Sequence, residues 1–519
     1  MSRLPRPAVL LPAFVVLLLL VPQRSVTVRA QSADPFAGFD AFVEGVMKEW
    51  PVPGIAVGAI KDGKVVLAKG YGRRNIEKQL PVTSRTLMGI GSNSKSFTVT
   101  LMGMLSDAGK LDWDRPVRTY LPDFELHNDV ATRLMTPTDL VTHRSGLPRH
   151  EQMWLVGIFS RKELFERLRH LEPSASFRQR YQYSNLMFMA AGVLLERMTN
   201  QTWDDLIKQK IFTPLGMTRS NTSVRDMPAA DDYSLPYTVR VGGATAVPYQ
   251  QNLDAIAPAA AINASVDDML KYVQMHIDQG AAGGQQIISK AFATRMQSPH
   301  SAFAESLDED EGVDEDKEMG PGGYGLGVSV RSYRGHKFVS HGGAVEGFVS
   351  AMSWMPHDRI GVVVLSNLSG PNPRAVPNII QLNVYERLLG LSITDHVARA
   401  KESQVRTRQQ NMERQQKRQV ERVAGTSPSR PLAQFAGQYE DPGYGLLTIA
   451  EKDGKLTIIR GTRFLPLEHF HYDVFREGLA PYSARRLVTF ASGPSGKIET
   501  VAIQLEPAVA DIIFRRKAS

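Results

Sequence analysis

Gly91-Ser92-Asn93-Ser94-Lys95-Ser96, running on into Phe97-Thr98-Val99-Thr100-Leu101-Met102-Gly103-Met104-Leu105, reads as a loop entering a helix. On a helix, residues three apart share a face, so Ser92 and Lys95 can touch. A serine hydroxyl is a poor nucleophile until a neighbouring base takes its proton. A lysine can be that base when burial lowers its pKa, and the N–H groups at a helix start favour developing negative charge. Taken alone, the pair reads first as a capped helix with a solvated lysine, because Ser-x-x-Lys recurs by chance in a chain of 519 residues.

Two further stretches carry chemistry. Tyr181-Gln182-Tyr183-Ser184-Asn185 leads into the apolar run from Leu186 to Glu196. A phenol beside a lysine can shuttle protons, and Asn185 offers both a donor and an acceptor to a substrate amide. The competing reading is a core tyrosine followed by a helix capped by Ser184 or Asn185. Val339-Ser340-His341-Gly342-Gly343-Ala344 precedes the strand-like Phe348 to Trp354. Consecutive glycines on a strand mark close approach of backbone or ligand. Such an edge can offer an N–H to an oxyanion, with His341 as a positive or hydrogen-bonding group. The competing reading is a turn with an incidental histidine.

In chain order, Ser92-x-x-Lys95, Tyr183-x-Asn185 and His341-x-Gly343 resemble the three active-site motifs of the penicillin-recognising serine hydrolases. These are class C β-lactamases, D-alanyl-D-alanine carboxypeptidases, D-aminopeptidases and related esterases. Leu140 to Pro148 (LVTHRSGLP), Pro214 to Met217, Ala260 to Met269 and Tyr324 to Val328 (YGLGV) are similar to family stretches between the motifs. The resemblance covers roughly Phe36 to Leu391. It implies an α+β fold of the β-lactamase/transpeptidase type: an antiparallel sheet flanked by helices, plus a helical subdomain. It also implies an acyl-enzyme mechanism. Ser92 attacks a carbonyl, Lys95 and Tyr183 share the general-base and general-acid duties in an order left open, and Asn185 holds the substrate amide. The N–H groups of Ser92 and Ala344, beside Gly343, form the oxyanion hole, and His341 faces the substrate carboxylate or leaving group. No metal or organic cofactor is implied. The partner is a small molecule or short peptide, peptidoglycan fragments included.

Two departures bear on the substrate. Class C β-lactamases carry Lys-Thr-Gly where this chain has His341-Gly342-Gly343, and histidine there is commoner among the peptidases and esterases. The Pro-Gly pair expected before the tyrosine motif is Pro173-Ser174, which puts the local loop shape in question. The leading expectation is a secreted or periplasmic D-amino-acid-specific peptidase, carboxypeptidase or esterase. The alternatives are a class C-like β-lactamase and a non-catalytic penicillin-binding or wall-associated protein. Around Ser92 there is no Gly-x-Ser-x-Gly elbow of an α/β-hydrolase.

Outward from the motifs, the chain divides into 1–30, a secretory signal; 31–395, the hydrolase domain; 396–430, a charged linker helix; and 431–519, a small β-barrel. The signal combines Arg3 and Arg6, the apolar run Ala8 to Val21, and Val28-Arg29-Ala30 ahead of cleavage before Gln31. That run is shorter than a comfortable membrane span. Gly54 to Ile60 and Lys64 to Gly70 read as a hairpin turning at Asp62-Gly63. Thr136 to Asp139 and Ser265 to Asp268 read as capping boxes, and Phe348 to Met355 and Ile360 to Asn367 as adjacent strands. Glu305 to Glu318, with nine acids, reads as a solvated loop. The C-terminal part shows only strands and turns and resembles a lipocalin-like module. His469 and His471 alternate along one of its strands, a metal pair only if a third ligand stood near.

Composition fits a folded chain, with 42% hydrophobic and 22% charged residues. Zero Cys excludes disulfides, thiolate metal sites and a cysteine nucleophile. Arg3, Arg6, Arg24 and Arg29 account for four of the +8 net charges, and the remaining +4 is no nucleic-acid footprint.

Overall fold

The Asp62-Gly63 hairpin forms as expected, with both turn residues at positive φ (51° and 76°), the geometry that matches the twist of paired strands. It joins β1 (Gly54–Lys61) to β2 (Lys64–Asn75). The computed structural model describes residues 34–240, 243–303, 318–370, 375–417, 420–479 and 483–518. The expected signal, Met1 to Ala30, lies outside them. So does the acidic run except for Glu318, which pairs with Arg334 (2.8 Å) and Arg399 (3.2 Å). Among the described residues no helix is long and apolar enough to cross a membrane.

β1 and β2 continue a nine-stranded antiparallel sheet that includes β3 (Ser329–Tyr333), β4 (His336–Val345), β5 (Phe348–Met355) and β6 (Ile360–Ser366). β6 shows why the sheet is central. Val362 and Val364 point into one core with α1 (Phe39–Glu49) and α5 (Ala375–Leu389), while Val363 and Leu365 point into another with α4 (Val266–Ile277). Both faces are therefore covered, and the strand reads as an unbroken apolar run. On the α4 side lie α2 (Ser94–Asp107) and α3 (Asn185–Thr199), each with most of its residues buried. A helix apolar all round belongs inside a protein.

The Thr136 capping box is complete, with Pro137 at the first helical position. The Ser265 box is half formed. Ser265 accepts from the Asp268 N–H, but the Asp268 carboxylate turns away to the N–H groups of Arg219 (2.9 Å) and Ser220 (3.1 Å). A carboxylate that can satisfy two buried loop donors does more there than at its own helix cap.

Asp139 links the local cap to the site. It is fully buried, 2.5 Å from Arg144 Nε and 2.6 Å from Arg178 Nη2. It therefore ties the turn before His143 to the segment entering Tyr181–Tyr183. Burial raises its pKa, but the Arg178 hydrogen bonds, the Arg144 charge and the Thr136 donors outweigh burial and leave it below its ordinary value. A depressed carboxyl contributes stability above its unfolded pKa, about 3.9, and loses it as pH falls through the folded value. Asp139→Asn should cost about 3 kcal/mol at pH 7, with the gap to wild type narrowing below about pH 4. Urea unfolding at both pH values measures it.

The C-terminal part is a closed antiparallel barrel of eight strands in sequence order. They are β7 (Gly437–Asp441), β8 (Gly445–Lys452), β9 (Lys455–Arg460), β10 (Arg463–His471), β11 (Val474–Glu477), β12 (Leu487–Ser492), β13 (Ile498–Ile503) and β14 (Ile512–Arg516). β7 pairs with β14, so no open sheet edge remains. Alternating residues such as Leu447, Ile449, Leu456 and Ile458 fill its interior. The two β10 histidines are not a metal pair. A bulge separates them, His469 Nε2 faces the Tyr472 carbonyl (2.9 Å), and His471 Nδ1 accepts from the Val423 N–H (3.3 Å). No metal-binding cluster occurs among the described residues. Ahead of the barrel runs α6 (His396–Lys417), in the expected linker.

Candidate active site

Ser92 sits in a single 3-10 turn, Gly91–Asn93, at the head of α2. Side chains that bond backbone hold the turn. The Ser94 hydroxyl donates to the Gly91 carbonyl (2.7 Å) and accepts from the Ile262 N–H (3.1 Å). Asn93 donates to the Ile90 carbonyl (3.1 Å) and to Ser350 on β5 (2.8 Å). Gly91 has φ 53°, and a Cβ there would stand 2.7 Å from the Ala344 nitrogen. Gly343 is tighter, with a Cβ 1.9 Å from the Ile90 carbonyl oxygen. The glycines let the edge of β4 press against the serine turn.

Two side chains converge on the Ser92 hydroxyl. Lys95 Nζ lies 2.9 Å and the Tyr183 hydroxyl 2.7 Å from Ser92 Oγ. Lys95 is fully buried, and its ammonium also donates to Asn185 Oδ1 (2.7 Å) and the Ala259 carbonyl (3.1 Å). Those three acceptors match its three donors. The ammonium also stands 4.6 Å from the Tyr183 ring centre. Asn185 opens α3, and Ser184 makes no side-chain cap, contrary to the capping reading. The Pro173-Ser174 departure is absorbed locally. Ser174 and Ala175 donate backbone N–H groups to the Gly146 carbonyl (3.1 and 3.3 Å), and the Ser174 hydroxyl lies 2.7 Å from the Gln182 amide.

His341 is on β4 and almost wholly buried. Burial first, then the Lys95 charge, push its pKa down to about 3. Its Nε2 bonds the Tyr324 hydroxyl (2.9 Å) and its Nδ1 the Gly342 carbonyl (2.5 Å). Of the two expected characters, positive or hydrogen-bonding, the buried ring has the second and is neutral at pH 7.

His143, Tyr324 and Arg149 are close neighbours that the motif reading left without roles. The His143 ring packs 4.3 Å from the Tyr183 ring and 4.7 Å from that of Tyr324. Its Nδ1 accepts the Ser184 N–H (3.1 Å), and burial holds it neutral. The Arg149 guanidinium lies 4.8 Å over the Tyr183 ring. His143 and Tyr324 do fall within the family-like stretches Leu140 to Pro148 and Tyr324 to Val328. Arg149 comes one residue after the first, where nothing in the sequence sets it apart.

Comparisons with known proteins place the chain in a family. The family model for Beta-lactamase matches residues 39–385, and that of a domain of unknown function, DUF3471, matches 421–516. The Unguisins hydrolase ungD' of Aspergillus campestris is 27% identical over 522 residues, covering 92% of this chain and 91% of the relative. Gigasin-6 of Magallana gigas is 25% identical, covering 44% and 77%. The octameric penicillin-binding protein homologue from Pyrococcus abyssi has a similar fold, with TM-score 0.58, 24% identity, and coverage of 92% of this chain and 99% of that one. SurE with D-Leu superposes with TM-score 0.52 and 17% identity over 93% of this chain and all of that one. With the family model spanning the serine turn, the tyrosine segment and the glycine-rich strand alike, this chain belongs to the Beta-lactamase family.

Proposed function

We propose that this protein is a serine hydrolase that forms an acyl-enzyme on Ser92 and acts on D-amino-acid peptides or small esters. The observation that carries the proposal is the placement of one hydroxyl within 2.9 Å of a buried amine and 2.7 Å of a phenol. Ser92 Oγ attacks the acyl carbon. Its proton passes to the Lys95–Tyr183 pair in the form in which one member, neutral amine or phenolate, is deprotonated, and the pair then returns that proton to the leaving group. The N–H groups of Ser92 and Ala344 receive the oxyanion, and Asn185 orients the substrate amide. Water then releases the acyl group. Export behind Met1 to Ala30 is part of the same proposal.

Two observations favour this substrate class over β-lactams. A neutral His341 with both nitrogens bonded offers no charge to a substrate carboxylate, which fits amides and esters that lack one better than carboxylate-bearing β-lactams. Among relatives, one is a hydrolase of unguisins and a protein of like fold was solved with D-Leu. The test compares D- and L-leucyl p-nitroanilides and nitrocefin on the purified protein. The proposal expects a preference for the D-form of roughly 10-fold or more and slow nitrocefin turnover. Rapid multiple turnover of nitrocefin would instead mark a β-lactamase, and silence on every substrate a binding protein.

A further inference from the structure

The barrel meets the hydrolase domain along residues 149–172. Arg167 Nη1 donates to the Pro442 carbonyl (2.6 Å), and Arg463 Nη2 to the Leu155 carbonyl (2.9 Å). Gln152 and Val156 line one cavity together with Leu447, Ile458 and Arg460 of the barrel. A further contact is made at His150, which is fully buried. Its N–H donates to Glu506 Oε2 (2.7 Å), its Nδ1 lies 2.7 Å from the Tyr444 hydroxyl, and its Nε2 lies 2.9 Å from the Glu172 carbonyl. The backbone there is left-handed, with φ 43°, a region in which histidine is found more often than most side chains. Two of the three hydrogen bonds at this residue come from the barrel.

The residue that this turn delivers is Arg149. Its guanidinium stacks over the Tyr183 ring and is braced by Glu151 (2.9 Å). We propose that the barrel acts on the active site through His150, with Glu506 and Tyr444 setting the turn that holds Arg149 against Tyr183. Arg149 is then a positioning residue for the phenol. A cation on the ring face is attracted by the ring's quadrupole, and more strongly as the phenol gives up its proton. Tyr183 is faced by Lys95 from α2, by Arg149, and by His143, with Tyr324 and His341 behind His143. Both histidines are neutral, and among the described residues Lys95 and Arg149 stand as cations against that ring.

The inference rests on the reading of Ser92 and Tyr183 as an acylating pair, so its test has one arm that does not need activity. Full-length protein is labelled with 3-fluorotyrosine and the Tyr183 fluorine resonance is assigned with Tyr183→Phe. Arg149→Ala should move that resonance, and Glu506→Ala and Tyr444→Phe should move it the same way. Adding Glu506→Ala to Arg149→Ala should move it no further. A Tyr183 resonance that ignores both barrel variants overturns the inference. The second arm follows Ser92 labelling by a fluorophosphonate against pH. Arg149→Ala and Glu506→Ala should slow labelling about 10-fold at neutral pH and shift the profile to higher pH, with Arg149→Lys recovering most of the loss. A uniform loss with an unshifted profile marks a merely structural contact and also overturns it. If wild-type Ser92 takes no label at all, the functional reading falls while the fluorine shifts still decide the coupling.

Discussion

Ser92→Ala should take no covalent label from a fluorophosphonate or a fluorescent penicillin, and hydrolysis should fall by on the order of 10⁴- to 10⁶-fold. The size of the effect follows from the arrangement. In the proposed mechanism the amine at 2.9 Å and the phenol at 2.7 Å exchange protons with Oγ, and without an oxygen there is no bond to form to the acyl carbon. What survives is the background from substrate binding and the oxyanion donors. The fold should survive, because the lost hydroxyl is partly exposed, but the buried Lys95 ammonium loses one acceptor. A cost of about 1–3 kcal/mol is expected. Mass spectrometry with peptide mapping of the adduct, a turnover assay and a thermal melt check all three. Label on a residue other than Ser92, or turnover by the variant at the wild-type rate, would end the proposed mechanism.

Lys95→Met should slow acylation of Ser92 by about 10²- to 10⁴-fold, the usual contribution of a positioned acid or base. Stability should behave differently. Methionine fills nearly the same buried volume and removes the cost of keeping a cation out of water. Against that gain, Asn185 Oδ1 and the Ala259 carbonyl lose a donor. The opposing terms leave a net change of no more than about 2 kcal/mol. Labelling kinetics on folded protein, beside a urea titration, separate the two effects. A variant that unfolds readily but labels at the wild-type rate would make Lys95 a structural residue and reverse its role here.

The parts of the site legible in the sequence are those where the chemistry lies within a few neighbouring residues. Ser92 and Lys95 are one helical turn apart, and Tyr183 precedes Asn185 by two residues at a helix start. Local backbone geometry alone sets those pairs. The hairpin at Asp62-Gly63 and the cap at Thr136 were readable for the same reason. The Ser265 box failed by half because Asp268 answers to Arg219 and Ser220, about fifty positions away in the chain. His341 was readable as a residue of interest but not as a neutral one, since its charge depends on burial and on Lys95. The alternation of His469 and His471 along one strand is interrupted by a bulge, which shifts the register without marking the sequence.

Taken by itself, the amino-acid sequence determined the three motifs and their order, the mixed α/β body with an all-β tail, and the absence of any thiol chemistry. These depend on residue identity and short-range periodicity, which a linear string carries in full. Only the tertiary structure decided that Ser92, Lys95 and Tyr183 meet at one oxygen, that His341 is uncharged, and that Arg149 stands over Tyr183. The physical reason is that hydrogen-bond geometry and desolvation depend on distance in space. The Tyr183–Ser92 contact spans 91 residues of chain, and the Glu506–His150 contact spans 356.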